Sequence, residues 1–377
     1  MTVDSSHLAD ENRSEMQGEI HQGHDFESGM LMRVRAWTDV MGWLRLVRIL
    51  RLSASPPAIG LVAAVYSVWN FAVVRFAPPG VIVMKSQYGD VSSLPRDLEA
   101  LLLTVNPGSW WIMPGQQTGG LWLLVISWSL LIWTPVILIL SRQGALLAAD
   151  RSLESLPTVG SRSLRRTPSA WIASIVPSVC VLGFCFVILV SGWISRLDWL
   201  AIPMSVVICL ATIPAGILLF GGCFAVPLSF AAIANESQPD PLDSLSRGYE
   251  AIYRRPLHLL IYLFVAFVLV TVAWAIAMGV AEFSAAVMEG TLSLAGVHPE
   301  SIGRPYRLIF HLPIIVAITT LWGMIGGVYL LSRESTGEQQ VEDLWSPLTH
   351  ADPPLPVPES VPDSVAAPSV ETTSAEA

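Results

Sequence analysis

Charge is scarce in this chain. Only 14% of its 377 residues are Asp, Glu, Lys or Arg, where a soluble domain carries about 25%. That scarcity excludes an ordinary soluble globular protein as the reading of the whole. Lysine is all but missing, with Lys85 the single one among 21 basic residues. The four cysteines, Cys180, Cys185, Cys209 and Cys223, all lie inside apolar runs. Cys180 and Cys185 are five apart and fall on different helix faces, so they read as small packing residues and exclude a tight thiolate pair for zinc or redox work. No HExxH, GxSxG, GxxxxGKS/T or CxxC occurs, so no catalytic or metal signature is readable and no cofactor is expected. The opening stretch MTVDSSHLADENRSEMQGEI has no apolar core. The expectation is therefore an uncleaved signal anchor, supplied by the first hydrophobic run after residue 55.

What is abundant is apolar length. The chain is 53% hydrophobic with a mean hydropathy of +0.56. Its net charge of −9 belongs to the tails. Residues 1–30 hold seven acids and one Arg, residues 333–377 hold nine acids and one Arg, and 31–332 carries the balance of +5. The domain reading follows: an acidic disordered tail over 1–30, a membrane domain over 31–332, and a Pro-rich, acidic disordered tail over 333–377. The PPLPVP of that last tail suits a polyproline helix.

Six runs meet the roughly 20 apolar residues needed to cross a bilayer core. They are 57–76, 121–140, 170–194, 206–233, 257–281 and 308–332. The fold class is thus all-α: a polytopic transmembrane helical bundle of about six spans, with interfacial amphipathic helices. The fourth run extends from 200 to 235 and overshoots one upright crossing by about 25 Å. It contains Pro203, Pro214, Pro227 and the pair Gly221-Gly222. It reads as a short interfacial lead-in followed by a kinked span, with a broken, re-entrant segment as the alternative. An even number of spans puts both tails on one side. The loops on that side hold 15 arginines, against six basic residues on the other, so both termini are expected in the cytoplasm and the protein in a bacterial inner (cytoplasmic) membrane.

Two connecting segments are patterned. In 36–52, Trp43, Leu46, Val47 and Leu50 fall on one helical face and Arg45, Arg48 and Arg51 on the other, which predicts a basic amphipathic helix in the headgroup region. In 240–256, Asp240 is placed to cap a helix with Pro241 at its first position. Leu242, Leu245, Tyr249, Ile252 and Tyr253 then form a stripe, while Asp243 with Arg247 and Glu250 with Arg254 make i, i+4 pairs. RLSASPP, RRTP and RRP each precede a span that leaves the basic side. A further short helix is predicted over 95–104. Gly323 and Gly327 form a GxxxG in the sixth span, which predicts close helix packing. Polar groups within the spans (Asn70, Ser127, Ser129, Thr134, Thr271, Thr319 and Thr320) are of the kind that satisfy helix–helix hydrogen bonds.

The stretch PLSFAAIANE, then DPLDSLSRGYEAIYRRP, then an apolar span resembles a group of uncharacterised polytopic membrane proteins of planctomycete bacteria. Asp243, Ser244, Leu245, Ser246 and Arg247, followed by Arg255 and Pro256, match that group's DALSRS-like core and its RP. GALLAADRSLESL, after the second span, is similar too. This chain departs at Gly248, where the group carries a small hydroxyl residue. A more distant likeness is to the membrane domains attached to some glycerophosphodiester phosphodiesterases, whose soluble catalytic domain is missing here. The resemblance implies a shared membrane fold and no activity. The candidate interaction motif is accordingly Asp243, Ser246, Arg247, Tyr249, Arg255 and Pro256. The expected function is a non-enzymatic scaffold, accessory or lipid-interacting protein. A transporter or channel component, or a membrane-embedded lipid enzyme, is the alternative. Expected partners are the lipid bilayer and other membrane proteins, with no nucleic acid.

Overall fold

The structure is a computed structural model that describes residues 41–76, 119–238, 240–296, 303–337, 340–341 and 344–345. All of the described helices lie within one compact unit that ends at Leu344. The 1–30 tail, the 95–104 helix and the Pro-rich stretch from 346 onward lie outside the described residues, whereas Arg333–Thr336 continue the last helix and Val341 and Leu344 are buried in the core. A 3₁₀ helix, Gly42–Ile49, leads into α1 (Leu50–Ser53) and α2 (Pro56–Phe76). Then come α3 (Gly119–Ala148), α4 (Leu156–Ile194), α5 (Ala201–Asn235), α6 (Pro241–Arg254), α7 (Pro256–Leu294) and α8 (Gly303–Thr336).

Among the described residues five stretches are long and apolar enough to cross a membrane: Ser127–Ala148, Leu156–Ile194, Asp198–Asn235, Pro256–Leu294 and Leu308–Thr336. Gly42–Ser53 and Pro56–Phe71, bent by 71° to each other, count as a sixth if taken as one span. The bend falls before Pro56-Pro57, where the missing backbone N–H and the bias against αR before proline interrupt the helix.

The spans do not share burial equally. In α3 and α8, 83% and 72% of the apolar stretch is buried, against 22% in each of α4, α5 and α7. α3 and α8 therefore form the centre. A Cβ on Gly144 would stand 2.0 Å from the Gly323 carbonyl oxygen, and one on Gly326 2.0 Å from that of Ser141. Absence of side chains lets the two backbones meet, the usual route to tight packing where lipid supplies no hydrophobic drive. α7 packs on α8, with Ala273 and Ala277 against Val316, and Ala266, Val270, Ala281 and Ala285 are buried along the same helix. α4 and α5 form a hairpin whose far half stands out. From Leu182 to Leu210 only Ser191 is buried, while Phe186, Leu189, Trp193, Ile202 and Leu210 are exposed.

Gly323 and Gly327 do pack closely, though not as a lone helix–helix motif. Leu46, Ile49 and Leu52, at 0%, 0% and 1% exposure, seat in the notch that they make. A Cβ on Gly327 would stand 2.4 Å from Ile49 Cδ1, and one on Gly323 2.7 Å from Leu52 Cδ2. The inward face of this segment thus repeats every three residues, as a 3₁₀ helix requires. The 3.6-residue stripe expected from Trp43, Leu46, Val47 and Leu50 does not form: Val47 is exposed and Arg45 is buried.

The long α5 is one continuous helix through Pro214 and Pro227. Its surplus length lies at the opposite end from the expected lead-in. All residues from Ala225 to Asn235 are buried in protein, so lipid-facing length ends near Phe224. α4 begins at Leu156, well before the expected 170, because Val159, Ser163, Arg166, Thr167 and Ala170 make a buried face that extends the span through its basic lead-in. α7 continues past 281 to Leu294 on its alanine face.

Among the intraspan polar groups, Ser129 accepts from Trp69 Nε1 at 2.8 Å. Thr134, Thr271, Thr319 and Thr320 each donate to a carbonyl one turn back on their own helix.

Candidate functional site

The ends of α3, α5 and α8, the start of α4 and the whole of α6 converge on a layer of charged and amide side chains. α3 passes from its apolar run directly into Arg142 and Gln143, which are 1% and 2% exposed. Arg142 Nη2 and Nε donate to Glu154 Oε1 at 2.7 and 3.3 Å, and Gln143 Nε2 donates to the Glu154 carbonyl at 2.7 Å. Arg162 Nη1 takes the other carboxylate oxygen at 3.1 Å. Glu154 therefore ties the end of α3 to the first turns of α4.

One α4 turn on, buried Arg166 donates to the carbonyls of Ile233 and Ala234 at 2.7 and 3.1 Å. These are terminal carbonyls of α5 with no partner of their own in the helix, and a cation there also compensates the negative end of the helix dipole. Asn235, fully buried, accepts from Arg142 Nη1 at 3.4 Å and donates to the Ala231 carbonyl at 2.7 Å.

The next residue faces the other way. Glu236 accepts from Arg247 Nη1 of α6 at 2.7 Å and from the Tyr329 hydroxyl of α8. Arg247 Nε also meets Asp243 at 3.0 Å. Burial opposes the Arg247 charge, but Glu236, then Tyr329 and Asp243, outweigh it and raise its pKa. Between α6 and α8 a cleft of ≈ 20 Å³ is lined by Arg247, Glu250, Tyr329, Ser332, Arg333 and Thr336, room for about one water.

α6 is held against α5 by shape as well as charge. Asp240 caps it, accepting from Leu242 N at 2.9 Å. Gly248 lies so close to α5 that a Cβ would stand 2.5 Å from the Ala225 carbonyl oxygen. A glycine is thus what the contact demands at this position. Gly221 and Gly222 open a notch for Tyr249 and Tyr253, which stack at 6.1 Å with an interplanar angle of 7°. Their hydroxyls donate to the Leu218 and Ile217 carbonyls at 2.9 and 2.8 Å. Burial pushes both phenols above their ordinary pKa.

The expected motif is only partly one site. Arg247 and Tyr249 join α6 to the end of α5 and to its body, while Asp243 pairs with Arg247 within α6 itself. Ser246 is exposed and bonds the Asp243 carbonyl of its own helix at 2.8 Å. Arg255 and Pro256 are exposed at the start of α7, and Gly323 and Gly327 serve the 3₁₀ wedge. Sequence reasoning missed Arg142, Glu154, Arg166, Asn235, Glu236 and Tyr329. The available signal was the Asn235-Glu236 pair closing the longest uncharged run, together with an Arg directly after the apolar run of α3.

Chemically, the layer is a set of fixed charge-assisted hydrogen bonds that join five helices. Among the described residues no group of three or more His, Cys, Asp or Glu is placed to hold a metal ion, and no cysteine forms a disulfide. No family model, curated protein or solved structure matches the chain.

Proposed function

We propose that this chain is a non-enzymatic membrane scaffold or accessory protein, built to present apolar helix surface to lipid and to neighbouring membrane proteins. The observation that carries the reading is the division between a tightly locked centre and the projecting α4–α5 hairpin, on which only Ser191 is buried between Leu182 and Leu210. The locked centre supports it as well, since the polar layer spends its carboxylates on arginines and a tyrosine of the fold. We further place it in a bacterial inner membrane with both tails cytoplasmic, on the arginine distribution. Kinship with the planctomycete-type group is part of the same proposal and rests on the segment from Asp243 to Pro256.

The test is reconstitution of the pure full chain in liposomes. The expected result is no flux of ions or neutral solutes and no turnover of bilayer lipids, together with crosslinking to other membrane proteins from photoreactive groups at Phe186 and Leu210 in cells. Solute flux or lipid turnover by the pure protein would sink the scaffold reading.

A further inference from the structure

Three arginines are exposed in the basic segments that lead into the lipid-facing lengths of α2, α4 and α7. Arg51 lies in α1, ahead of Pro56-Pro57. Arg165 lies in α4, three residues before Pro168. Arg255 stands directly before Pro256 at the start of α7. These are the RLSASPP, RRTP and RRP segments of the sequence.

In each segment the neighbouring arginines are committed to the fold. Arg48 pairs with Asp150 at 3.3 Å. Arg162 is held by Glu154, and Arg166 by the end of α5. Arg254 pairs with Glu250. Arg51, Arg165 and Arg255 take part in none of the ion pairs among the described residues.

Two of the three sit beside large exposed apolar side chains. Leu164 is 63% and Ile172 49% exposed near Arg165, and Leu257 is 73% and Leu260 63% exposed near Arg255. Beyond Arg51 the outward face of α2 runs through Gly60 to Val68 and Phe71. A guanidinium next to exposed leucines fits neither bulk water nor hydrocarbon. It fits the boundary between them, where its stem lies along apolar chains and its head reaches outward. That boundary is lined with phosphate, which a planar guanidinium fork binds bidentately.

We propose that Arg51, Arg165 and Arg255 bind the phosphodiester headgroups of anionic phospholipids and give the protein a preference for an anionic leaflet. Net negative charge is the selective feature, because the choline cation of a zwitterionic lipid offsets its phosphate. The inference rests on the membrane-spanning architecture and is independent of whether the protein is a scaffold. Lipid turnover in liposomes would sink the scaffold reading and leave this one standing.

The test uses the full chain in phosphatidylcholine bilayers that carry trace spin-labelled phosphatidylglycerol or phosphatidylcholine. The motionally restricted fraction of each label reports its affinity for the protein surface. The wild-type chain is expected to favour phosphatidylglycerol about threefold or more, given the attraction of arginines near an anionic surface. The preference should fall sharply at about 1 M salt, where the Debye length is about 3 Å. The triple variant R51Q/R165Q/R255Q should lose the preference while keeping the wild-type circular dichroism melt, and R51K/R165K/R255K should keep a reduced one. An unchanged preference in the glutamine variant overturns the proposal, as does equal affinity for both labels in the wild type. Loss of the preference on adding inorganic phosphate at constant ionic strength marks a site for a free anion and also overturns it.

Discussion

Arg142 donates to Glu154 Oε1 at 2.7 Å while it is itself 1% exposed. This is the most deeply buried ion pair described in the molecule, and its two partners are not equivalent. Glu154 is 22% exposed and keeps partial solvation when alone. Arg142 does not. Glu154→Gln is expected to destabilise the protein by about 3 kcal/mol, because it leaves a buried cation without its anion. The double variant R142M/E154L should recover most of that loss, since an apolar replacement of a buried pair is often near neutral. Equilibrium unfolding in mixed micelles measures both.

Backbone contact between α3 and α8 makes Gly144 and Gly326 intolerant of any side chain. Gly326→Ala should prevent compact assembly, seen as loss of a sharp thermal transition and aggregation on size exclusion. Gly279 in α7 has nothing within 4 Å of an added Cβ. Gly279→Ala should therefore be neutral or stabilising, by up to about 1 kcal/mol from helix propensity.

The 3₁₀ wedge predicts what the GxxxG does. Ile49→Ala should cost about 3 kcal/mol, as expected for a fully buried aliphatic side chain. Gly327→Leu should displace the wedge, detected as new protease cleavage near residue 50. Neither change should alter the mass of the detergent-solubilised particle, because Gly323 and Gly327 are occupied within one chain. A Gly327→Leu variant with a changed oligomeric mass would contradict this assignment.

Tyr249→Phe and Tyr253→Phe should each cost about 1 kcal/mol, the usual net value of one hydrogen bond. The stacked pair also predicts a pH response. Both phenols have folded pKa values raised above 10.0, chiefly by burial. Their contribution is therefore complete below pH 10 and is lost as the pH rises from there toward the folded values. Stability should decline above pH 10, and the double Phe variant should decline less steeply. Chemical unfolding between pH 8 and 11 follows the difference.

The helices were legible in the sequence because a bilayer demands long uncharged runs. Asp240 as a cap and the Asp243–Arg247 and Glu250–Arg254 pairs were legible because helical spacing alone brings them together. The 3₁₀ register was not: Leu46, Ile49 and Leu52 fit the segment only once the Gly323–Gly327 notch exists to receive them. The polar layer was hidden for a related reason. Arg142, Arg166 and Asn235 sit where positive-inside topology places arginines and where helices ordinarily end. Their burial is decided by how far α5 runs on beneath α6 after leaving the lipid-facing level, and that is a matter of tertiary packing. The surplus of α5 was visible as length, while its location depended on Gly248 meeting Ala225.

The enclosure of Ala225 to Asn235 sets an order of events during synthesis. Arg142 and Arg166 are made before this stretch, α6 follows it, and Tyr329 arrives last. Until α8 emerges, Glu236 lacks its tyrosine and the notch for the 3₁₀ wedge does not exist. The final helix is thus the keystone of assembly. A chain interrupted after α7 is left with α3 open along the face that α8 covers and with Glu236 lacking one of its two partners.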